Sequence, residues 1–241
     1  MMEQQRQMSR LGVATDGCSI RLALFVSLAS MVFPWPLRRW LLQALCKYSI
    51  AHDARIGYSI VACSSLSLGP AARIGHGNVV KGIELDMAEA ATIGDFNWIS
   101  GLSLQDRKHF GHDSTRRPVL RLGRHAALTS RHFLDCSNTV DIGEFSTIAG
   151  IRSQVLTHAI DILRSEQASA AVRIGRYCFI GTGCVVLKGA RLPDFSVLAA
   201  NSSLVRSFEE PFTLYSGVPA TAVKGLDRNA AYFHRSRGYV D

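Results

Sequence analysis

His158 ends the run Ser153-Gln154-Val155-Leu156-Thr157-His158, and the regular pattern of the chain breaks directly after it, over 159–171. An imidazole titrates near ~6.5, so at neutral pH it can take up a proton and return it. That suits a base that removes the hydrogen of an attacking hydroxyl and later hands it to a leaving group. Two carboxylates are candidates to assist. Asp161 follows shortly after and would orient the imidazole or hold an acceptor. Asp135 takes the second place of a six-residue unit, where a small residue is usual, and reads as facing outward. Asn97 and Gln154 are further polar candidates for holding a substrate. Taken alone, each of these side chains reads equally well as an exposed group with no task. The elements that carry them have to decide.

Those elements repeat. From Arg173 to Val205 an aliphatic residue recurs at every sixth position: Ile174, Ile180, Val186, Leu192, Leu198 and Leu204. Small residues sit between them, such as Gly175, Gly181 and Ala199, then Cys178, Cys184, Ser196 and Ser202. Neither a helix of period 3.6 nor a strand of period 2 gives a pure period of six. A coil with three flat sides does: the aliphatic points to the axis and the small residue fits the corner. Stacked coils bury columns of aliphatics and pair their backbones above and below. The same period returns, with gaps and slips of register, at Ile56, Leu68, Ile74 and Val80, then Ile93 and Ile99, then Leu122, Leu128 and Leu134, then Ile142 and Ile148. The expected fold is an all-β solenoid, a parallel β-helix over 56–225, with a helical extension over 1–55 and a short cap over 226–241.

With the closing run Ser216-Gly217-Val218-Pro219-Ala220 and the segment ending at His158, this pattern resembles the hexapeptide-repeat acyltransferases. It is most similar to their sugar and polysaccharide O-acetyltransferases. The resemblance spans roughly 56–225 and is densest over 142–225. It implies a left-handed β-helix, a homotrimer, and transfer of an acetyl group from acetyl-CoA to a hydroxyl of a sugar or polysaccharide precursor. It also implies direct attack with no covalent enzyme intermediate, with His158 as the base. By the same resemblance, Gly181, Thr182, Ala199 and Ala200 line the pantetheine arm, and Arg206 and Lys224 meet the phosphates of CoA. Lys188 and Pro193 depart from the family pattern, away from the proposed chemistry. Two rivals stand beside this reading. A metal-dependent, carbonic anhydrase-like hydratase on the same fold would need His125, His132 and His158 to converge between subunits. A non-catalytic assembly solenoid would need neither His158 nor a CoA groove.

The rest of the chain sets bounds. A formal charge of +8 fits an anionic partner such as CoA, and no nucleic-acid module is evident. The six cysteines include no Cys-x-x-Cys pair, which reads as reduced core residues and a cytoplasmic setting. His109 and His112 lack an evident third ligand, so no metal is expected. Residues 104–118 are polar and basic, and must leave the solenoid as a loop, either solvated or reaching a neighbouring subunit. The apolar run from Leu22 to Pro36 is too short for a membrane span of ~20 residues and makes a poor signal peptide. It is expected to form helices packed on the coils. Peripheral contact with the inner face of the membrane through 22–45 is the second reading.

Overall fold

The computed structural model describes residues 18–104, 107–113 and 115–240. The six-residue period does build a three-faced coil of short parallel strands. Successive strands feed three sheets in turn, of seven, nine and seven strands, and each strand pairs with the one a full coil away. The first face runs from Ser49–Ile50 to Arg191–Leu192, the second from Arg55–Ile56 to the closing strands Thr213–Gly217 and Ala220–Gly225. The third runs from Ile60–Ala62 to Ser203–Leu204. The coil thus begins at Ser49, slightly before the repeat becomes legible. Ile174, Ile180, Val186, Leu192, Leu198 and Leu204 are all buried in one continuous core. The cysteines are free thiols.

Inside the corner that leads into the third face, polar side chains climb the coil. Asn78 donates to Ser59 Oγ at 3.2 Å, and Asn97 Nδ2 donates to Asn78 Oδ1 at 3.0 Å. Next, the His132 amide donates to Asn97 Oδ1 at 2.9 Å, and the Ser153 amide to His132 Nδ1 at 3.1 Å. Each polar group is satisfied by the coil beside it, which is how a polar column survives in a core. Asn97 is therefore an interior rung, 1% exposed, and not a substrate ligand on the surface. Burial pushes the His132 imidazole down to about 4. As pH falls below the unfolded value near ~6.5, the unfolded chain binds a proton that the folded chain refuses. Stability is expected to drop by roughly 3 kcal/mol between there and about 4. His132→Asn would keep a rung of the type used at Asn78 and Asn97 and flatten that limb. Urea midpoints against pH for both proteins check this; an unchanged limb in the variant would remove His132 as its source.

Two helices close the start of the coil, α1 (Ile20–Ala29) and α2 (Trp35–Cys46). Ser27 Oγ of α1 accepts the Val61 amide at 2.9 Å, which covers the open edge of the third face. Pro36 falls in the first turn of α2, where its missing N–H costs nothing. Arg38 of α2 is turned inward, against the first coil. It is 3% exposed and donates to the carbonyls of Ile56, Gly57 and Ser59. Among the described residues no helix is long and apolar enough to cross a membrane.

The tail does not fold over the far end of the coil; it lies along its side. His125, Phe145, Tyr177, Phe195 and Phe212 form a stacked column at the first-to-second corner, with ring centroids 4.6 to 5.5 Å apart. All have positive φ. A left-handed L-residue costs about 1–2 kcal/mol, and each stacked pair returns about 0.5–1.5, so the tail's own packing decides the balance. Phe233 meets Phe195 and Phe212 edge-on, and Arg235 lies 3.8 Å over Tyr232. The Tyr232 hydroxyl donates to the Cys178 carbonyl, and the Tyr177 hydroxyl to that of Arg235.

Candidate active site

Strand Gln154–Leu156 of the third face ends where the chain turns towards the first face, and Thr157 and His158 make that turn. Their partner is Asp135, at the end of the neighbouring strand Phe133–Asp135, whose register sets Asp135 against Leu156. Asp135 Oδ2 accepts the amides of Thr157 at 2.9 Å and His158 at 3.2 Å. It also lies 2.6 Å from His158 Nδ1. Asp135 Oδ1 accepts the Ser137 hydroxyl at 2.6 Å and its amide at 3.0 Å.

An ionised carboxylate only accepts, so Nδ1 carries the hydrogen. In the neutral ring Nε2 then holds a lone pair, and it has no hydrogen bond to a described residue. The hydrogen bond that Nδ1 donates to Asp135 raises the imidazole above its ordinary value, against the opposing effects of burial and of Arg116. For Asp135, burial works upward, but hydrogen bonds from His158 and Ser137 outweigh it and hold the carboxyl below the usual range. The Asp135 side chain is 9% exposed and that of His158 33%. Asp135 is thus covered, contrary to the outward-facing position read from its place in the repeat.

The cover comes from the two departures from the repeat. Both leave the third face at the same corner, so both lie on one side of the coil. Residues 158–169 form an antiparallel hairpin, His158–Asp161 against Glu166–Ser169. The 104–118 segment is docked on that hairpin. Ser169 Oγ donates to Asp113 Oδ2 at 3.0 Å, and His112 Nε2 to the Gln167 carbonyl at 2.8 Å. Its short helix α3 (Arg107–Phe110) buries Phe110, whose ring meets the His158 ring edge-on at 6.0 Å. Arg116 lies 4.4 Å over Phe110, and its Nη1 donates to the Ser137 carbonyl at 3.0 Å. Phe110, Arg116 and Ser137 were not singled out in the sequence. Counting hexads would have shown that the two excursions share a corner.

Asp161 plays a different part from the one expected. Its Oδ1 accepts the amides of Leu163 and Arg164 at 3.0 and 3.2 Å and so closes the hairpin turn. No hydrogen bond or ion pair joins it to His158 among the described residues. Gln154 is exposed on the outer surface of the third face, in register between Phe133 and Val185. Gly181, Thr182, Ala199 and Ala200 sit at the second-to-third corner, at the other edge of that face from His158. A Cβ on Gly181 would fall 2.6 Å from the Ala200 amide nitrogen, so coil stacking alone requires glycine there. Thr182 Oγ1 donates to the Ile151 carbonyl at 2.8 Å. Arg206 and Lys224 are exposed near the end of the coil. The chain therefore brings Asp135 to His158 and leaves Gly181, Thr182, Ala199 and Ala200 across the third face from them. His125 sits in the aromatic column and His132 in the core, apart from His158. Among the described residues no group of three or more His, Cys, Asp or Glu could hold a metal ion.

No protein-family model matches the sequence, and no curated protein matches it. Solved structures do match. AntD, an N-acyltransferase from Bacillus cereus solved with dTDP and coenzyme A, is 14% identical with a TM-score of 0.50, over 69% of this chain and 90% of that one. A hexapeptide-repeat acetyltransferase from Vibrio cholerae O1 biovar eltor, complexed with acetyl coenzyme A, is 18% identical with a TM-score of 0.46, over 86% of each chain. The polysialic acid O-acetyltransferase OatWY is 18% identical with a TM-score of 0.48, over 74% of this chain and 84% of that one. What the AntD likeness shows is a shared fold.

Proposed function

We propose that this chain is an acyltransferase with the left-handed β-helix of the hexapeptide-repeat enzymes, and that it moves an acetyl group from acetyl-CoA to a hydroxyl of a sugar or polysaccharide precursor. The observation that carries the reading is the bond of 2.6 Å between Asp135 and His158 Nδ1, which fixes the tautomer and leaves Nε2 as the base. Nε2 takes the hydrogen of the acceptor hydroxyl as its oxygen attacks the thioester carbonyl. The C–S bond then breaks, and the departing thiolate receives that proton from Nε2. Asp135 holds the imidazolium in between. Backbone N–H groups at the coil corners are suited to the oxyanion. The AntD fold and its bound coenzyme support a CoA donor. Against the hydratase reading stands His132, whose 2% exposure keeps it from a metal between subunits.

Gly181, Thr182, Ala199 and Ala200 lie across the third face from His158, which supports a site completed by a neighbouring copy. We assign the assembly as a homotrimer; its mass by light scattering tests this, and an active monomer would overturn it. The experiment for the reaction is thiol release from acetyl-CoA with sugar and polysaccharide acceptors. No acceptor-dependent release with any of them would sink the reading. If Arg206 and Lys224 reach the phosphates, changing both to alanine should raise the donor KM severalfold at low salt and less at high salt, with kcat nearly unchanged. A donor KM that is the same at every salt concentration would take both residues out of the site.

A further inference from the structure

The helices that close the coil leave an unusual outer surface. On α1 and the turn after it, Phe25 is 70% exposed and Val32 82%; on α2, Trp40 is 61% exposed. Leu22, Leu28, Phe33 and Leu37 are exposed between them. Folding buries little of Phe25, Val32 and Trp40, and apolar side chains exposed together in this way mark a contact. Between Asp16 and Asp53 the sequence has no carboxylate, while Arg21, Arg39 and Lys47 stand on the helical segment with the buried Arg38.

The apolar patch borders a groove lined by Trp35, Trp40, Arg39, His52 and Arg55. Arg39 Nη1 and Arg55 Nη1 donate to the same carbonyl, that of His52, at 2.9 and 3.2 Å. Two guanidinium groups are thereby held side by side. Among the described residues neither has a carboxylate partner within ion-pair distance. Asp53 accepts a hydrogen bond from the Ala71 backbone, which holds its carboxyl low with smaller help from His52 and Arg55, and it forms no close ion pair with either arginine. Indole rings beside guanidinium groups that have no carboxylate within ion-pair distance among the described residues, at the rim of an apolar surface, match the boundary of a bilayer: acyl chains on one side, phosphates on the other.

We propose that α1 and α2 seat this protein on an anionic membrane surface, with the Arg39–Arg55 groove holding a lipid phosphate. Phe25, Val32 and Trp40 enter the acyl boundary, and the end of the coil stands on the bilayer. The assignment does not depend on the transfer reaction.

Flotation with vesicles tests it. The protein should float with phosphatidylcholine vesicles containing phosphatidylglycerol, and far less with phosphatidylcholine alone. Phe25→Ser, Val32→Ser and Trp40→Ser together should reduce partitioning at least about tenfold, because each removes buried apolar area. Arg39→Gln and Arg55→Gln should each reduce it about fivefold on anionic vesicles, in step with the attraction of one basic residue to such a surface. Circular dichroism confirms that the variants are folded. Protein that stays at the bottom of the gradient with anionic vesicles overturns the proposal, as does flotation that the folded variants retain. A triple serine variant that changes the oligomer mass and not the flotation would make the patch a contact between copies. Soluble glycerol phosphate that binds the groove as tightly as vesicles do would make it a pocket for a free anion, and would also overturn the membrane assignment.

Discussion

Alanine in place of His158 is expected to leave a folded protein whose transfer rate is roughly 100- to 10,000-fold lower, the usual worth of a positioned acid–base group. The fold should survive because the ring fills no core column; a third of the side chain is exposed, and its ring meets Phe110 edge-on. The buried Asp135 keeps its bonds from Ser137, Thr157 and the amide of residue 158. Donor binding should persist, because Gly181, Thr182, Ala199 and Ala200 lie at the other edge of the third face. In the wild type, kcat/KM should rise with pH through one group that titrates above the ordinary imidazole value, since Asp135 raises it. Only the deprotonated ring can accept the hydroxyl hydrogen, so activity is present above that value and lost below it. His158→Asn should be as inactive as His158→Ala, because shape without basicity does not help. Thiol release at matched folding measures all of this. A folded alanine variant within a few-fold of wild type would mean that another group is the base.

The coil was legible because its core is chemically uniform. Ile174 through Leu204 fall on a period that only a three-sided coil satisfies, and each of those side chains is buried. His158 was legible for the opposite reason, since it stands where the period stops. Long-range cover was not legible. Asp135 looked outward because its place in the six-residue unit says nothing about a loop folded back over it. The cover comes from 104–118 and the 158–169 hairpin, joined through Asp113 and Ser169. Asn97 looked like a surface amide because local sequence does not show that Asn78 and His132 complete its bonding in the adjoining coils. The tail was misplaced for a similar reason. Phe145, Tyr177, Phe195 and Phe212 look scattered until the phase of the corners is counted, and only then do they form a strip for Phe233 and Arg235.

Asp135→Asn separates the two tasks of the carboxylate, and both should fail. The imidazole would lose the anion that raises it, while burial and Arg116 would still push it down. The lower limb of kcat/KM should therefore move to lower pH by about one unit or more. The amide can also present an N–H to Nδ1, which would move the ring hydrogen to Nε2 and leave the base blocked. Loss of most transfer activity, about 100-fold or more, is expected at every pH. Stability should fall as well, because Oδ1 and Oδ2 both accept backbone and side-chain donors, and one of the two positions becomes a donor itself. An unmade bond of this buried kind costs about 1–3 kcal/mol. The pH dependence gives a sharper reading. The lowered carboxyl contributes stability above its unfolded value near ~3.9 and loses it as pH falls through the folded one. The raised imidazole contributes below ~6.5 and loses it as pH rises through its folded value. The pair is therefore worth most between those two unfolded values, so the deficit of Asp135→Asn should be larger near pH 5 than near pH 9. Urea midpoints at both pH values measure it. Equal deficits at the two, together with an unshifted activity limb, would show that Asp135 is a structural bond acceptor with no hold on the charge of His158.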